Sequence, residues 1–462
     1  MNMLFIGGGS LRILPLLRGA FEQASAVFRN GEIRLVDLQL KRAEAVGRML
    51  LACPEYANVG CRVVWTDDLE GALPNTDVVY LTMGARRSPS NEQSVFLANK
   101  YGFCSTDNLS ISGAFLSLRL GRTILGIARK MEKYCPKALM LIFPNPVAVY
   151  SHLVNTFTKI RALGICGGFN NHRYDLTRLI GRDEFDPGWN VVAAGVNHLS
   201  FILRGDYHGK DLYSEILPRY LNAEWKPLNI AASSEIIQRG VTEALSFMYR
   251  MFHRYGTIIF SSEFDGSAHV FPDEALELQI ARNGMGENFE PEAAEKQFDL
   301  EVKGRFERFI AMSKQTEKVD WNNSDDLLSK VTSDIAIPIF KALFCKEKMR
   351  IVASRPNCGA VRDFADNVPL EYTMDISGAE ITPVENQYIP SPFKGVIASL
   401  AEFQRLQSEA IVKWEPRIFA DALEAYPVGQ FSRKRNEFYR KMFDIYSDVD
   451  SHMLQARQFF EE

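Results

Sequence analysis

Hydrophobic positions in the first third of the chain alternate between two rhythms. Residues 3–6 form a short apolar run, and Gly7, Gly8 and Gly9 follow it directly. Leu14, Leu17, Phe21, Ala24 and Phe28 then recur at three- and four-residue spacing, which is one face of a helix. Residues 32–36, 62–65, 77–82, 138–143 and 162–166 read as further strands, and 114–134 as a long helix. The run DVVYLT is nearly continuous in apolar residues, as a strand covered on both faces must be. This alternation predicts a doubly wound parallel sheet. Ligands of such sheets lie beyond the carboxyl ends of the strands, where Gly7, Met83, Asn145 and Cys166 fall.

The rhythm changes after about position 190. Residues 190–204 (NVVAAGVNHLSFILR) read as one or two strands interrupted at Asn197 and His198. Residues 273–330 are charge-rich and mostly helical in pattern. Trp321, Asn322, Asn323 and Ser324 form a turn there, with Ser324 able to cap the helix that follows. Residues 350–384 hold short strands broken by Pro356, Gly359, Pro369 and Gly378, and the chain from Phe393 onward is helical and ends in an aromatic-rich segment. No internal repeat or long linker divides the chain.

The opening strand, glycine turn and helix read as the start of a dinucleotide-binding βαβ unit, or as a plain α/β turn with Asp37 exposed beside it. The backbone must turn tightly at Gly7 and approach a pyrophosphate at Gly9, and the helix N-terminus offers free N–H groups to the anion. Arg12 stands where the third glycine of the usual fingerprint would be. Asp37, at the end of the second strand, is placed to accept hydrogen bonds from an adenosine ribose. The expected fold is therefore α/β: an N-terminal Rossmann-like doubly wound parallel sheet over residues 1–190, and a second mixed α/β domain over residues 191–462. The second domain is expected to carry substrate, metal and oligomer contacts.

Composition narrows the function classes. A chain of 462 residues with 46% hydrophobic and 24% charged residues is ordinary for a globular protein of two or three domains. A net charge of -4 leaves no basic footprint and argues against nucleic acid as a partner. No apolar run approaches the ~18 residues of a bilayer span, and the N-terminus does not read as a signal peptide, so no membrane contact is expected. Seven scattered cysteines do not form a disulfide framework, which fits a reducing cytoplasm.

Three strand-end segments carry uncommon polar groups. Asn145 lies between Pro144 and Pro146, so its backbone is restricted and its amide fixed, which suits either a capped turn or sugar hydroxyls. Cys166 ends the LGIC run before two glycines, as a structural cysteine or a ligand. His198 follows Asn197 in the G-V-N-H segment, as a core histidine or a ligand. A thiolate and an imidazole alone would leave most positions of a metal open to substrate oxygens, which is a Lewis-acid arrangement.

The order IGGGS, VDLQLKRAE, NP, a strand-end Cys and G-V-N-H resembles the NAD- and divalent-metal-dependent family 4 glycoside hydrolases. Residues 107–119 (DNLSISGAFLSLR) look like the family's glycine-rich segment, and residues 357–371 (NCGAVRDFADNVPLE) resemble its N-x-G…V-E segment. The resemblance implies NAD on Gly7, Gly8, Gly9, Ser10, Asp37 and Met83. It implies manganese or another divalent ion on Cys166 and His198, and glycoside hydroxyls on Asn145 and Asn197, with Arg86 as a further substrate contact. The implied reaction oxidises the sugar at C3, removes the C2 proton, eliminates the aglycone, adds water and returns the hydride, unlike glycosidases that use a carboxylate pair. YGTIIFSSE (residues 255–263) resembles the stretch that bears a carboxylate in branches acting on non-phosphorylated sugars, so Glu263 is the expected base, with Asp265 in reserve. A homodimer or homotetramer is expected.

The chain departs from the family in places. The Arg-Glu-x-Asp-Glu segment of members acting on 6-phosphosugars is here Ser88, Pro89, Ser90, Asn91 and Glu92, with Arg86 and Arg87 just before it. Gly167 follows the cysteine, and Ser110 and Ser112 replace two glycines. A non-phosphorylated glycoside is therefore the expected substrate class. The alternatives are a 6-phospho-glycosidase of the same family, a plain NAD-dependent sugar or hydroxy-acid dehydrogenase, and an inactive NAD-binding regulator.

Overall fold

The apolar runs become strands within a residue or two of their expected limits. The computed structural model describes residues 1–84, 91–182, 186–221, 235–260, 263–322, 327–427 and 434–461. Arg86 and the proposed helix cap Ser324 lie outside the described residues. Strands β1 (Asn2–Ile6), β2 (Glu32–Val36), β3 (Arg62–Thr66), β4 (Val78–Leu81), β5 (Leu139–Ile142) and β6 (Arg161–Gly164) pair in parallel in the order β3-β2-β1-β4-β5-β6. Every residue of β4 and β5 is buried, as their unbroken apolar runs require. The strand order reverses between β1 and β4, which opens the ligand crevice at their carboxyl ends.

The second half extends this sheet with antiparallel strands: β7 (Trp189–Val196), β8 (Leu199–Tyr207), β9 (Lys210–Asp211), β10 (Ile258–Ile259), β11 (Met349–Pro356), β12 (Pro369–Ser377) and β13 (Glu380–Pro383). β11 joins β6 through Ser354 and Gly164, and β12 carries the pairing on to β7 through Glu371 and Gly195. Among the described residues one sheet of thirteen strands thus runs from one half of the chain to the other. Strand β7 crosses residue 190. The 190–204 segment is a hairpin, with Val196 paired to Leu199 and Asn197 and His198 as its two-residue turn.

The helix Ile111–Tyr134 is long and apolar enough, by length and composition, to cross a bilayer. Its apolar positions are instead buried against the helices Val147–Phe157 and Lys394–Lys413. Ser110 caps this helix by accepting a hydrogen bond from the Gly113 amide. The aromatic C-terminal segment packs here too, with Phe115 4.9 Å from Tyr446 and 4.8 Å from Phe443, ring centre to ring centre.

Two glycines of the first turn are fixed by close approach. Gly7 has φ 85°, and a Cβ there would lie 2.5 Å from the Met83 amide nitrogen, because the ends of β1 and β4 touch. A Cβ on Gly9 would lie 2.4 Å from the Arg42 Cβ, so glycine is required there by packing of the helix Leu40–Ala52 as well as by any ligand. Gly126, in the long helix, has open space around its Cβ position. Gly7→Ala should therefore destabilise the fold by about 2–4 kcal/mol, from a left-handed φ plus a clash with rigid backbone. Gly126→Ala should raise stability by about 0.5–1 kcal/mol. Urea denaturation of the two variants beside the parent protein checks both signs, and equal midpoints for all three would contradict this account of the turn.

Candidate functional site

The site grows from the carboxyl ends of β5 and β6 and from the β7–β8 turn. His198, second residue of that turn, has φ 72°. A non-glycine residue in the left-handed region costs on the order of 1–3 kcal/mol, and such residues concentrate where a side chain must be aimed. The histidine is buried, and its Nδ1 lies 2.9 Å from Asp265 Oδ1. Nδ1–H therefore donates to the carboxylate, which leaves Nε2 facing the Asn108 amide, whose Nδ2 is 3.0 Å away.

Asp265 is wholly buried. Its carboxylate accepts hydrogen bonds from the Leu109 amide at 2.8 Å, the Gly266 amide at 3.0 Å and the Thr106 hydroxyl, in addition to His198. Burial alone would raise the Asp265 carboxyl, but the His198 ring and the Thr106 hydroxyl hold it below the ordinary range. Burial likewise opposes charge on His198. Asp265 and Glu263 outweigh it and raise the imidazole well above its ordinary value, with a hydrogen bond to Cys166 adding to the effect. The field at Nε2 favours a cation.

Asn108 ties the cluster together. Its Nδ2 lies 2.6 Å from Asn197 Oδ1 and 3.1 Å from Asn145 Oδ1. Asn145 in turn donates to Asp107 at 2.9 Å, and Asn197 donates to the buried Glu371 at 2.6 Å. Burial pushes the Glu371 carboxyl up, partly offset by the Asn197 hydrogen bond. The Asn108 Oδ1 oxygen is buried with no hydrogen-bond partner. Cys166 sits two residues past β6, and its sulfur accepts a hydrogen bond from the Gly168 amide at 3.4 Å, at the start of the helix Gly168–Leu179.

That helix also carries His172 and Asp175, three residues apart and both buried. His172 Nε2 lies 3.5 Å from Glu263 Oε2, and its Nδ1 lies 3.5 Å from Asp175 Oδ2. Burial alone would lower the His172 imidazole, but the two carboxylates raise it to about 10. Glu263 keeps 31% of its side chain exposed and lines a cavity of about 660 Å³. A second cavity of about 260 Å³, lined by Met83, Gly84, Phe143 and Asn145, shares Asn91 and Asp107 with it. The turn residues Gly7, Gly8 and Gly9 lie at the crevice, their amides donating to Val36 and Asp37, while Ser10 donates to the Gly7 carbonyl. Asp37 thus braces the turn through Gly9 and also accepts from the Gln39 amide at 2.8 Å.

The structure therefore brings Asn145, Asn197, His198, Asp265 and Cys166 together, with Glu263 near enough to His198 and Asp265 to act on both electrostatically. The reading of the sequence missed Asn108, Thr106, His172 and Asp175 as site residues, and assigned no role to Glu371. His172 and Asp175 left a usable signal, an H-x-x-D spacing on a helix that begins at the strand-end cysteine. The donors fit a divalent metal: one thiol, one imidazole in the ligand tautomer, and an unpartnered buried amide oxygen beside it. Among the described residues no third His, Cys, Asp or Glu joins them in a metal cluster. The crevice between β1 and β4, with its glycine turn and apolar cavity, fits a dinucleotide.

Comparison with known proteins agrees with this fold. Residues 2–181 match the model of the family 4 glycosyl hydrolases, and residues 193–428 match that of the family 4 glycosyl hydrolase C-terminal domain. An α-galactosidase of Bacillus subtilis is 30% identical over 223 residues, covering 47% of this chain and 50% of that protein. An α-galacturonidase of Thermoanaerobacter italicus is 23% identical over 96% of both chains. A solved 6-phospho-α-glucosidase from gut microorganisms, in complex with NAD and Mn²⁺, superposes with a TM-score of 0.74 at 15% identity, covering 97% of this chain and 98% of that one. The chain belongs to the family 4 glycosyl hydrolases.

The His172 assignment has a pH signature. A histidine raised from 6.5 in the unfolded chain to about 10 in the fold stabilises the protein in full below pH 6.5, and the contribution is lost as pH rises through 10. His172→Gln, measured in the presence of a chelator, should cost about 2–4 kcal/mol at pH 6 and progressively less toward pH 10. Urea denaturation of both proteins at pH 6, 8 and 10 reads the difference. A deficit of constant size across that range would mean that His172 packs there uncharged.

Proposed function

We propose that this family 4 glycosyl hydrolase cleaves a non-phosphorylated glycoside by transient oxidation at C3, proton removal at C2 and elimination of the aglycone. The observation that carries the reading is the convergence, at the carboxyl ends of the parallel strands, of Cys166, His198, three asparagine amides and the half-exposed carboxylate of Glu263. When bound, NAD would supply a hydride acceptor and manganese, or another divalent ion, a Lewis acid at the sugar oxygens. Cys166 and His198 would hold the metal, with Asp265 fixing the ring orientation and tautomer of His198. A thiol ligand requires a reducing surrounding, and all seven cysteines are free, which supports a cytoplasmic setting.

The remaining roles follow from reach and exposure. Asn145 and Asn197 hold sugar hydroxyls, their amides fixed by Asp107, Asn108 and Glu371. Glu263 takes the C2 proton, because it is accessible and faces the cavity while Asp265 is sealed. His172 positions that carboxylate. Asp265, the reserve candidate for the base, has its oxygens engaged by Leu109, Thr106, Gly266 and His198 and acts as the positioning residue for His198.

Charge supports a non-phosphorylated substrate. Among the described residues lining the two cavities, Glu92, Asp107, Glu263 and Glu301 face a single cation, Arg282. A sugar phosphate dianion would meet net repulsion there.

A panel of nitrophenyl glycosides (neutral, uronic and 6-phosphorylated), assayed with NAD, Mn²⁺ and a reductant, should show cleavage of a non-phosphorylated member without net NADH. Hydrolysis in D₂O should place deuterium at C2 of the released sugar. Glu263→Gln should slow cleavage by about 10²–10⁴-fold while NAD binding persists. Net NADH would identify a dehydrogenase instead. Efficient cleavage with no C2 deuterium, by mass spectrometry, would point to direct displacement at C1 or to return of the same proton shielded from solvent, and Glu263→Gln then separates these two.

Dependence on metal separates the ligands from the rest of the cluster. Cys166→Ser and His198→Ala should each lose metal-dependent activity and metal affinity by about tenfold or more while still binding NAD, read by calorimetry. Full activity of chelator-treated protein would remove the metal from the scheme.

A further inference from the structure

We propose that the larger cavity receives the leaving group and selects an aromatic aglycone, uncharged or cationic, over a second sugar or an anionic group. This rests on the glycosidase reading above. The direction of the aglycone follows from chemistry. The C2 proton must face Glu263, which lines the larger cavity, and C3 must face the crevice with Met83 and Asn145, which Glu263 does not line. C1 is bonded to C2 and lies on the far side of it from C3. The bond that breaks thus points its departing oxygen toward the larger cavity.

The walls of that cavity describe its occupant. Val95, Phe264, Met285, Phe289 and Phe298 give it an apolar side. Val95, Phe96, Met285 and Phe289 form a small apolar cluster separate from the main core, with the Phe96 and Phe289 rings 5.2 Å apart. A cluster of this size adds little to the fold, and its site beside Glu263 puts aromatic surface where the leaving group departs. The wall offers a second sugar few hydrogen bonds from Gln279. Its Oε1 accepts from Asn99 and Ser105, and its Nε2 donates to the Ser105 carbonyl.

Charge adds a second selection. Among the described residues, Glu92, Asp107, Glu263 and Glu301 line the cavity against Arg282, which itself lies 3.9 Å from Glu243. Four carboxylates around one opening repel an anionic aglycone and attract a cationic one. Phe298 and Glu301 sit on one face of the helix Pro291–Ser313, three residues apart, so one helix presents a ring and a carboxylate to the same opening.

The test uses the full-length protein with NAD and Mn²⁺, on the sugar cleaved best in the nitrophenyl panel. Two matched pairs of leaving groups are compared by kcat/KM: 4-(aminomethyl)phenyl with 4-carboxyphenyl, which differ in charge, and benzyl with a second hexose, both of which leave as alkoxides. The first member of each pair should exceed the second at least tenfold. Glu301→Gln should narrow the charge ratio at least threefold, and Phe298→Ala the ring ratio at least fivefold; both sit on an exposed helix, and circular dichroism confirms folding. Equal or reversed ratios, with cleavage intact, overturn the pocket assignment and leave the glycosidase reading standing. Cleavage of no glycoside in the panel overturns that reading and this proposal with it.

Discussion

The site depends on one buried carboxylate. Asp265 joins three parts of the chain that are far apart in sequence: the 106–109 loop before the long helix, the β7–β8 turn, and its own short helix, Phe264–Ser267. A carboxylate without water is costly unless each oxygen is matched, and here amide, hydroxyl and imidazole donors supply the match. The consequence is geometric. His198 cannot rotate without breaking its bond to Asp265, so Nε2 stays aimed at Asn108 and Cys166. The left-handed backbone of His198 is held by the same bond, and by close packing of the turn, since a Cβ on Gly266 would meet the His198 carbonyl oxygen at 1.7 Å.

The continuous sheet explains how residues from both halves of the chain reach that point. β6 ends at Gly164 and delivers Cys166. β11 pairs back at that same glycine through Ser354, and β12 places Glu371 opposite Gly195, next to the Asn197 that it holds. A parallel sheet alone would bring only strand-end loops to its carboxyl edge. The antiparallel extension adds a hairpin turn from the other direction, and the site forms where the two meet. Substitutions in this strip are constrained by backbone contact as well as by chemistry. A Cβ on Gly164 would lie 2.6 Å from the Val147 carbonyl oxygen, and one on Gly195 would lie 2.2 Å from that of Leu199.

Much of this was legible in the sequence, for a physical reason. The parallel strands are buried on both faces, so their apolar runs have sharp ends, and each expected strand lies within about two residues of the one formed. Cys166, Asn145, Asn197 and His198 were legible because each stands at the end of such a run, where a polar residue has little packing role. Asn108, Thr106, His172 and Asp175 were not. They lie in a loop and on a helix, and nothing local distinguishes them from solvated polar residues. Their roles come from contacts made across tens to hundreds of positions, such as Asn108 with Asn197 and Thr106 with Asp265. The same limit applies to Gly9. The sequence offers a pyrophosphate as the reason for glycine, while Arg42 on the next helix supplies another through packing.

The clearest division of labour is between two carboxylates that the sequence could not rank, Glu263 and Asp265. They are two residues apart, Glu263 as the extended residue that precedes a short helix and Asp265 within its first turn. Asp265 turns inward, is fully buried, and spends its oxygens on donors, which holds its carboxyl below the ordinary range. Glu263 turns toward the cavity, keeps 31% of its side chain exposed, and has His172 3.5 Å from one oxygen. A base must accept a proton from a bound molecule, so it needs an open path and a charge held ready by a neighbour that does not itself occupy the path. His172, raised to about 10 by the carboxylates around it, supplies that neighbour at neutral pH. Exposure separates the two carboxylates where spacing along the chain cannot, and on the function proposed above Asp265 is the fixed member of the pair and Glu263 the working one.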